Sequence, residues 1–297
     1  MSIAIILNGI SRKKKFFYKT ILPALQKEHS INVFETQYAG HATGLAKAAA
    51  NKFEVIISAG GDGTLNQVLN GVLSIEQNLP VLGLIPLGSG NDFAGAVGLT
   101  PRPEQMLLLL KQYKPQPTDV GFIKCHDSAN KEKQHYFINV CSMGMGPATV
   151  MQMEKAPSWM GTNLRYLTSI IKTFFQHKPE LVELKTQTWN WRGTVRVLAV
   201  ANGKSFGNKI YLAPEAKQDD GLFDLFVAAN VPLFRFLWFL QTLKRARKIN
   251  DARIYYNTTD KIEITSEQPV AIEAEGELVG FLPATIRMKP GAVAFLR

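Results

Sequence analysis

Residues 55–72 read Val-Ile-Ile-Ser-Ala-Gly-Gly-Asp-Gly-Thr-Leu-Asn-Gln-Val-Leu-Asn-Gly-Val. An apolar run, Val55 to Ala59, ends at Gly60, Gly61 and Gly63, and Leu65, Val68, Leu69 and Val72 then recur at helical spacing. The order is strand, glycine turn, helix. Glycines let backbone come close to a ligand, and the first turn of a helix presents unpaired N–H groups and a partial positive charge. A phosphate group suits such a place. Thr64 is expected to cap the helix. Asp62 is the odd member, because a carboxylate repels phosphate; it fits if it meets a magnesium ion or a substrate hydroxyl. An ordinary Asp-Gly turn is the plain alternative.

Working outward, the same alternation continues on both sides. Ile3 to Leu7 reads as a buried strand, 13–28 as a basic helix, Ile31 to Thr36 as a strand and Ala42 to Lys52 as a helix. Val81 to Ile85 is a further strand, followed by Pro86-Leu87-Gly88-Ser89-Gly90-Asn91-Asp92. Strands joined by helices pair in parallel with right-handed crossovers. Two glycine loops at the same end of neighbouring parallel strands make one binding edge.

The texture changes at Pro115-Gln116-Pro117. Strand-like segments follow at 118–124, 135–142, 180–189, 194–202, 222–229, 261–266, 270–275 and 284–288, with helices expected at 163–177 and 232–248. The expected fold is therefore α/β plus mainly-β. A parallel-sheet nucleotide-binding domain spans 1–117, and an antiparallel, β-sandwich-like substrate domain with helical insertions spans 118–290. Residues 291–297 form a last strand returning to the first domain. The active-site cleft is expected between the two, at the carboxyl ends of the parallel strands.

Composition narrows the function classes. Lys and Arg number 34 against 24 Asp and Glu, a formal charge of +10, so anionic partners are favoured. Nucleotide phosphates and an anionic membrane surface qualify, whereas a nucleic-acid role has only the charge behind it, with no recognisable binding module. Cys125 and Cys141 form no CxxC pattern and the five histidines are scattered, so neither a zinc site nor a disulfide framework is legible, and a reducing cytoplasm fits. The apolar start, Ile3 to Leu7, precedes Arg12-Lys13-Lys14-Lys15, the reverse of a signal-peptide order.

Three motifs, taken in order, resemble the diacylglycerol kinase catalytic-domain family, which includes bacterial lipid kinases and the sphingosine and ceramide kinases. They are Gly60-Gly61-Asp62-Gly63-Thr64-Leu65-Asn66, Pro86-Leu87-Gly88-Ser89-Gly90-Asn91-Asp92-Phe93-Ala94 and Asp219-Asp220-Gly221-Leu222-Phe223-Asp224. A looser match is Thr36 followed by Gly40-His41-Ala42. NAD kinases share the first loop, whereas the second loop and the third segment point to the lipid branch.

The resemblance implies an ATP-dependent lipid kinase that phosphorylates a hydroxyl of diacylglycerol or a related glycerolipid. ATP is then held by Thr36, Gly60, Gly61, Asp62, Gly63, Thr64, Leu65, Asn66, Gly88, Ser89 and Asn91, with Asp62 also at the reacting centre. Asp119 matches an aspartate of an acidic network at the domain junction. A structural Mg²⁺ is implied at Asp220 with the backbone carbonyls of Lys217 and Leu222, separate from the Mg²⁺ that accompanies ATP. The implied partners are ATP and a membrane lipid, and a homodimer is compatible with the family. The implied location is cytoplasmic, peripheral at the inner membrane surface.

The chain departs from the family near its end. Where relatives carry Asp-Gly-Glu, with the aspartate as proton acceptor, this sequence has Glu273-Ala274-Glu275-Gly276-Glu277. Glu275 stands at the position of the base, with a similar intrinsic pKa but a longer reach. If the segment is a strand, Glu273 and Glu275 share a face, and their crowding raises the proton affinity of one. A solvated acidic edge strand is the alternative. The stretch Val231 to Leu240, with Phe234, Phe236, Trp238 and Phe239 before Lys244-Arg245-Ala246-Arg247-Lys248, reads as an interfacial helix or as a core helix with a basic end. Leu164 to Phe175 carries the same two readings. The competing functions are a kinase of a soluble metabolite such as NAD, and a non-catalytic nucleotide- or lipid-binding homologue.

Overall fold

The computed structural model describes residues 1–75, 77–157, 161–207 and 209–297. The chain divides into two units, Met1–Val120 with Pro290–Arg297, and Gly121–Lys289. The first contains β1 (Ile3–Leu7), β2 (Ile31–Glu35), β3 (Val55–Gly60) and β4 (Val81–Pro86). β1 pairs in parallel with β2 and β3, and β3 with β4, giving the order 2-1-3-4. β1 and β3 are buried at every residue. A parallel strand covered on both faces must be apolar on both, which is why these runs are continuous rather than alternating.

The helices of this unit are α1 (Lys14–Phe16), α2 (Leu22–Gln26), α3 (His41–Ala50), α4 (Asp62–Val72), α5 (Asp92–Ala96) and α6 (Pro103–Gln112). The stretch 13–28, expected as one helix, is broken: a π-helical turn, Phe17–Ile21, separates α1 from α2. Pro23 has no N–H for an α-type bond, and the wider turn before it absorbs the loss. Phe17, Ile21 and Leu25 still reach the core formed with Ile5, Ile57, Met106 and Leu110.

β5 (Gln116–His126) begins in the first unit and ends in the second. The second unit continues with β6 (Glu132–Phe137), β7 (Val140–Gly144), β8 (Glu180–Lys185), β9 (Asn190–Ala201), β10 (Phe223–Ala229), β11 (Ile254–Thr259), β12 (Lys261–Thr265), β13 (Ala271–Ala274) and β14 (Glu277–Phe295). Its helices are α7 (Met145–Lys155), α8 (Thr162–Gln176) and α9 (Leu233–Lys244). β10 pairs with β11 and β9, β9 with β7 and β8, β7 with β13, β13 with β14, and β12 with β8 and β14, all antiparallel. Two long strands serve two layers. β9 meets β8 through 190–195 and β7 and β10 through 195–201. β14 meets β13 through 277–281 and β12 through 284–287.

Strand periodicity sorts this unit into two cores. Cys141, Met143, Leu198, Val200, Leu225 and Val227 face the interior between the layers, with Ile262, Ile264 and Ile286. Their neighbours Val140, Val197, Ala199, Phe226 and Ala228 face the opposite way, onto Ile170 and Phe174 of α8 and Phe236, Phe239 and Leu240 of α9. The end of β14 belongs to the first unit, where Phe295 pairs in parallel with Leu82 of β4. β11 and α7 were not anticipated. The segment 135–142, expected as one strand, is two, β6 and β7, parted at Ile138–Asn139.

Candidate functional site

In the first unit the loops after β1, β2, β3 and β4 gather at the carboxyl ends of the strands, and their contacts are mutual. The expected loop Gly60–Thr64 is almost all secondary structure: β3 includes Gly60, α4 begins at Asp62, and Gly61 alone joins them. Gly61 has φ −98° and ψ −170°, an extended conformation open to any residue. Proximity makes the stronger demand at Gly88, since a Cβ on Gly61 would lie 3.2 Å from the Gly88 Cα, a tight but not forbidden contact. A Cβ on Gly88 would lie 2.4 Å from the Gly61 Cα, so the two glycine loops touch backbone to backbone. The Gly60 carbonyl accepts the N–H groups of Leu87 (2.8 Å) and Gly88 (3.2 Å), and Asn91 clamps Gly88 through both its N–H and its carbonyl.

Asp62 joins the loops. Its Oδ2 accepts the Asp92 N–H and its Oδ1 accepts the Phe93 N–H, each at 3.1 Å, at the start of α5. Burial, then the nearby Asp92, raise its pKa, while these backbone bonds oppose the rise. Thr64 does not cap α4, whose flanking residue Gly61 supplies no side chain. Thr64 lies inside the helix, and its hydroxyl accepts from Asn8 Nδ2 at 3.1 Å. The cap fails because the helix starts three residues earlier than expected, and a residue already inside it has helical backbone. Thr36 Oγ1 accepts the Gly9 N–H at 3.0 Å, so the β1 and β2 ends are tied as well. Leu65 and Asn66 are buried, with Asn66 accepting from Asn70, and Ser89 is exposed. The structure thus brings Thr36, Gly60, Gly61, Asp62, Gly63, Thr64, Gly88 and Asn91 into one connected rim. Asn8 was missed. Its signal was the Asn-Gly pair directly after β1, at the same strand end as Gly60.

Asp119 is buried, and its Oδ1 accepts the N–H of Gly291, in the returning segment, at 2.7 Å. In the second unit, the acidic segment lies before β10. Asp220 Oδ1 accepts the Leu222 N–H at 3.1 Å across Gly221, whose φ is +76°. Asp224 has its pKa raised to about 6, first by burial, then by Asp220, with Glu215 adding and Lys248 opposing. Among the described residues no group of three or more His, Cys, Asp or Glu forms a metal cluster. One carboxylate with two backbone carbonyls is nevertheless a hard-oxygen set that suits Mg²⁺, and the raised Asp224 marks negative charge a cation would relieve.

Glu275 is not in a strand. β13 stops at Ala274, and Glu275 (φ +54°) and Gly276 (φ +83°) form a two-residue hairpin turn to β14. Positive φ at both positions is the type I′ pattern, which explains why the family places Asp-Gly here: Asp and Asn tolerate this conformation far better than Glu. The longer side chain is held by its carboxylate. Oε1 accepts the Asn139 N–H at 2.6 Å and the Ile138 N–H at 3.2 Å. These two amides lie in the gap between β6 and β7, so the residues at the break are also the ones that hold Glu275.

Two expectations about the neighbouring glutamates are corrected. Because Glu275 lies in the turn, it shares no strand face with Glu273. β13 is not a solvated edge either, since β7 and β14 flank it. Glu273 is 1% exposed, and its pKa is raised to about 7, with burial as the largest cause and the Ser142 and Gly276 hydrogen bonds opposing it.

Each of the two apolar helices buries one face and exposes the other. α9 buries Phe236, Phe239, Leu240 and Leu243, yet Phe234 and Trp238 are 71% and 60% exposed. On α8, Ile170 and Phe174 are buried while Leu164, Leu167 and Phe175 are exposed. No helix among the described residues is long and apolar enough to cross a membrane.

Comparison with known proteins agrees with this layout. Residues 2–123 match the model of the diacylglycerol kinase catalytic domain, and residues 139–297 match the YegS C-terminal NAD kinase beta sandwich-like domain. A diacylglycerol kinase of Bacillus subtilis is 29% identical over 95% of this chain and 92% of its own. A "Probable lipid kinase YegS-like" of Chromohalobacter salexigens is 28% identical over 97% of this chain and 91% of its own. The crystal structure of a diacylglycerol kinase from Bacillus anthracis superposes with a TM-score of 0.73 at 20% identity, covering 99% of this chain and 96% of that one, and shares the fold. With both halves matched in order, the chain belongs to the diacylglycerol kinase catalytic-domain family.

Proposed function

We propose that this protein is an ATP-dependent kinase transferring the γ-phosphoryl group to a hydroxyl of a membrane lipid, diacylglycerol or a related glycerolipid. The observation that carries the reading is the contact between the two glycine loops, backbone to backbone at Gly61 and Gly88 and tied by Asp62. Phosphoryl transfer asks mainly for positioning and charge stabilisation. The N–H groups at the start of α4 and the polar side chains of Thr36, Ser89 and Asn91 would bind ATP phosphates. Asp62, committed to the Asp92 and Phe93 amides, positions the second loop rather than acting as a base. Glu275 would accept the proton of the acceptor hydroxyl. Its two backbone N–H bonds restrain where it points. The exposed Phe234 and Trp238, near the exposed Lys244, Arg245 and Arg247, support docking on an anionic lipid surface.

The test is transfer of labelled phosphate from ATP to a panel of glycerolipids and sphingoid bases in vesicles, with free NAD alongside. A phosphorylated glycerolipid, formed faster on anionic vesicles and more slowly as salt rises, is the expected result. Labelled NAD without labelled lipid would establish the metabolite-kinase reading instead.

Mg²⁺ at Asp220, with the Lys217 and Leu222 carbonyls, would supply structural stability by neutralising the acidic segment. A raised carboxyl pKa means that the stability Asp224 contributes is full below its ordinary value near 4 and is lost as pH climbs through about 6. A bound cation should offset that loss. Mg²⁺ should therefore raise the melting temperature more at pH 8 than at pH 5, and not in Asp220→Ala. Equal Mg²⁺ stabilisation in the variant would place the ion elsewhere.

A further inference from the structure

Glu273 is a buried carboxylate that the proposed chemistry does not use, and every partner it has lies beside the turn that carries Glu275. It sits opposite Ser142 in the β13–β7 ladder. Its Oε1 accepts the Ser142 hydroxyl and its Oε2 accepts the Gly276 N–H at 2.9 Å. Ser142 is fully buried. The Ser142–Glu273 pair is closed in by α7: a Cβ on Gly146 would lie 2.0 Å from Ser142 Oγ and 3.4 Å from Glu273 Oε1. The pair is therefore a fixed post, and the Gly276 N–H is tied to it.

We propose that Glu273 is the positioning residue for Glu275, holding the Glu275–Gly276 turn so that the Glu275 carboxylate is kept at one place. The inference rests on Glu275 being the base. The need arises from this chain's own departure. A glutamate at positive φ is less settled than the family's aspartate, and its longer side chain has one more rotatable bond. Two restraints compensate: the Ile138 and Asn139 amides grip the side chain, and Glu273 grips the backbone one residue on. Burying a carboxylate is costly unless it is hydrogen-bonded at both oxygens, as Glu273 is.

The protonation state of Glu273 should matter to the turn. The ionised carboxylate accepts from both partners, whereas a protonated one has one oxygen that must donate. Burial places this change at about pH 7, with the Ser142 and Gly276 bonds opposing the rise. The neighbouring titratable group on β7 is Cys141, whose thiol is raised well above its ordinary value by burial first and then by Glu273, Cys125 and Glu275. It therefore stays neutral through the same range. The other charged group on the turn is Glu275.

The experiment uses the full-length protein and three variants. Glu273→Gln keeps an acceptor for Gly276 and a partner for Ser142, and Glu273→Ala removes both. Glu275→Gln tests the base separately. Expected are a turnover in Glu273→Ala reduced by ~10–100-fold, as for a base displaced by about an ångström, with KM for ATP unchanged. Glu273→Gln should recover most of that loss and no longer show the native change of rate around pH 7. In the native protein the Gly276 amide resonance should titrate near pH 7, and in Glu273→Gln it should not. That reading needs no activity, so it stands if Glu275 proves not to be the base. Native turnover in folded Glu273→Ala would overturn the proposal. So would equal losses in the Ala and Gln variants, which would make Glu273 a chemical participant. A Gly276 amide indifferent to pH would overturn it as well.

Discussion

Glu275→Gln should lower turnover by roughly 10²–10⁴-fold, the usual value of a positioned general base, while ATP affinity changes little. The amide keeps an oxygen for the Ile138 and Asn139 N–H groups, which now hold Glu275 Oε1 at 3.2 and 2.6 Å. The turn and the β6–β7 break should therefore survive, and the loss should be one of proton acceptance. Glu275→Asp supplies the residue best suited to positive φ in a type I′ turn, so it should fold at least as well and retain substantial turnover. Loss of ATP binding in Glu275→Gln, or near-native turnover, would remove the base assignment. A native protein inactive on every acceptor, and rescued by Glu275→Asp, would mean that the chain has become a binding homologue.

Gly88→Ala should raise the dissociation constant for ATP by about 10²-fold, the order of effect expected when a positioning element moves by an ångström. The added methyl would lie 2.4 Å from the Gly61 Cα, 3.0 Å from the Gly61 nitrogen and 2.8 Å from Asn91 Oδ1. Two of these atoms are backbone, so no rotamer relieves the clash and the loops must separate. The same overpacking should cost about 1–3 kcal/mol of stability in the first unit. Gly95→Ala is the control, since a Cβ there meets nothing within 4 Å and its φ is not positive. It should leave ATP binding intact and stabilise the helix by roughly 0.5–1 kcal/mol. Normal ATP affinity in folded Gly88→Ala would show that nucleotide does not depend on the joined loops.

The strand–glycine–helix order around Gly60 was legible because it depends on neighbours a few residues apart: apolar runs, helical spacing and glycine. The same holds for α3, α4, α9 and most strands of the second unit. Besides the local break at Pro23, prediction failed where a distant residue intervened. Asn139 and Glu275 are 136 residues apart, yet they are hydrogen-bonded where the segment read as one strand breaks and beside the turn that carries the proposed base. Asp62 is 31 residues from Phe93, and no local pattern indicates that its carboxylate joins two loops. The two faces of α9 were visible as competing readings, and packing assigned Phe236 and Phe239 to the core and Phe234 and Trp238 to solvent.

The sequence by itself determined the succession of elements, the two glycine loops and the identity of the acidic groups, since periodicity and residue type act over one or two turns of chain. Only the tertiary structure decided what each carboxylate touches and how deeply it is buried. A carboxyl group's charge, aim and partners depend on which backbone amides and which other acids are folded against it, and on how much water remains. That is why Asp62 became a tie, Glu273 a buried post with a pKa raised to about 7, and Glu275 the carboxylate anchored in a strained turn.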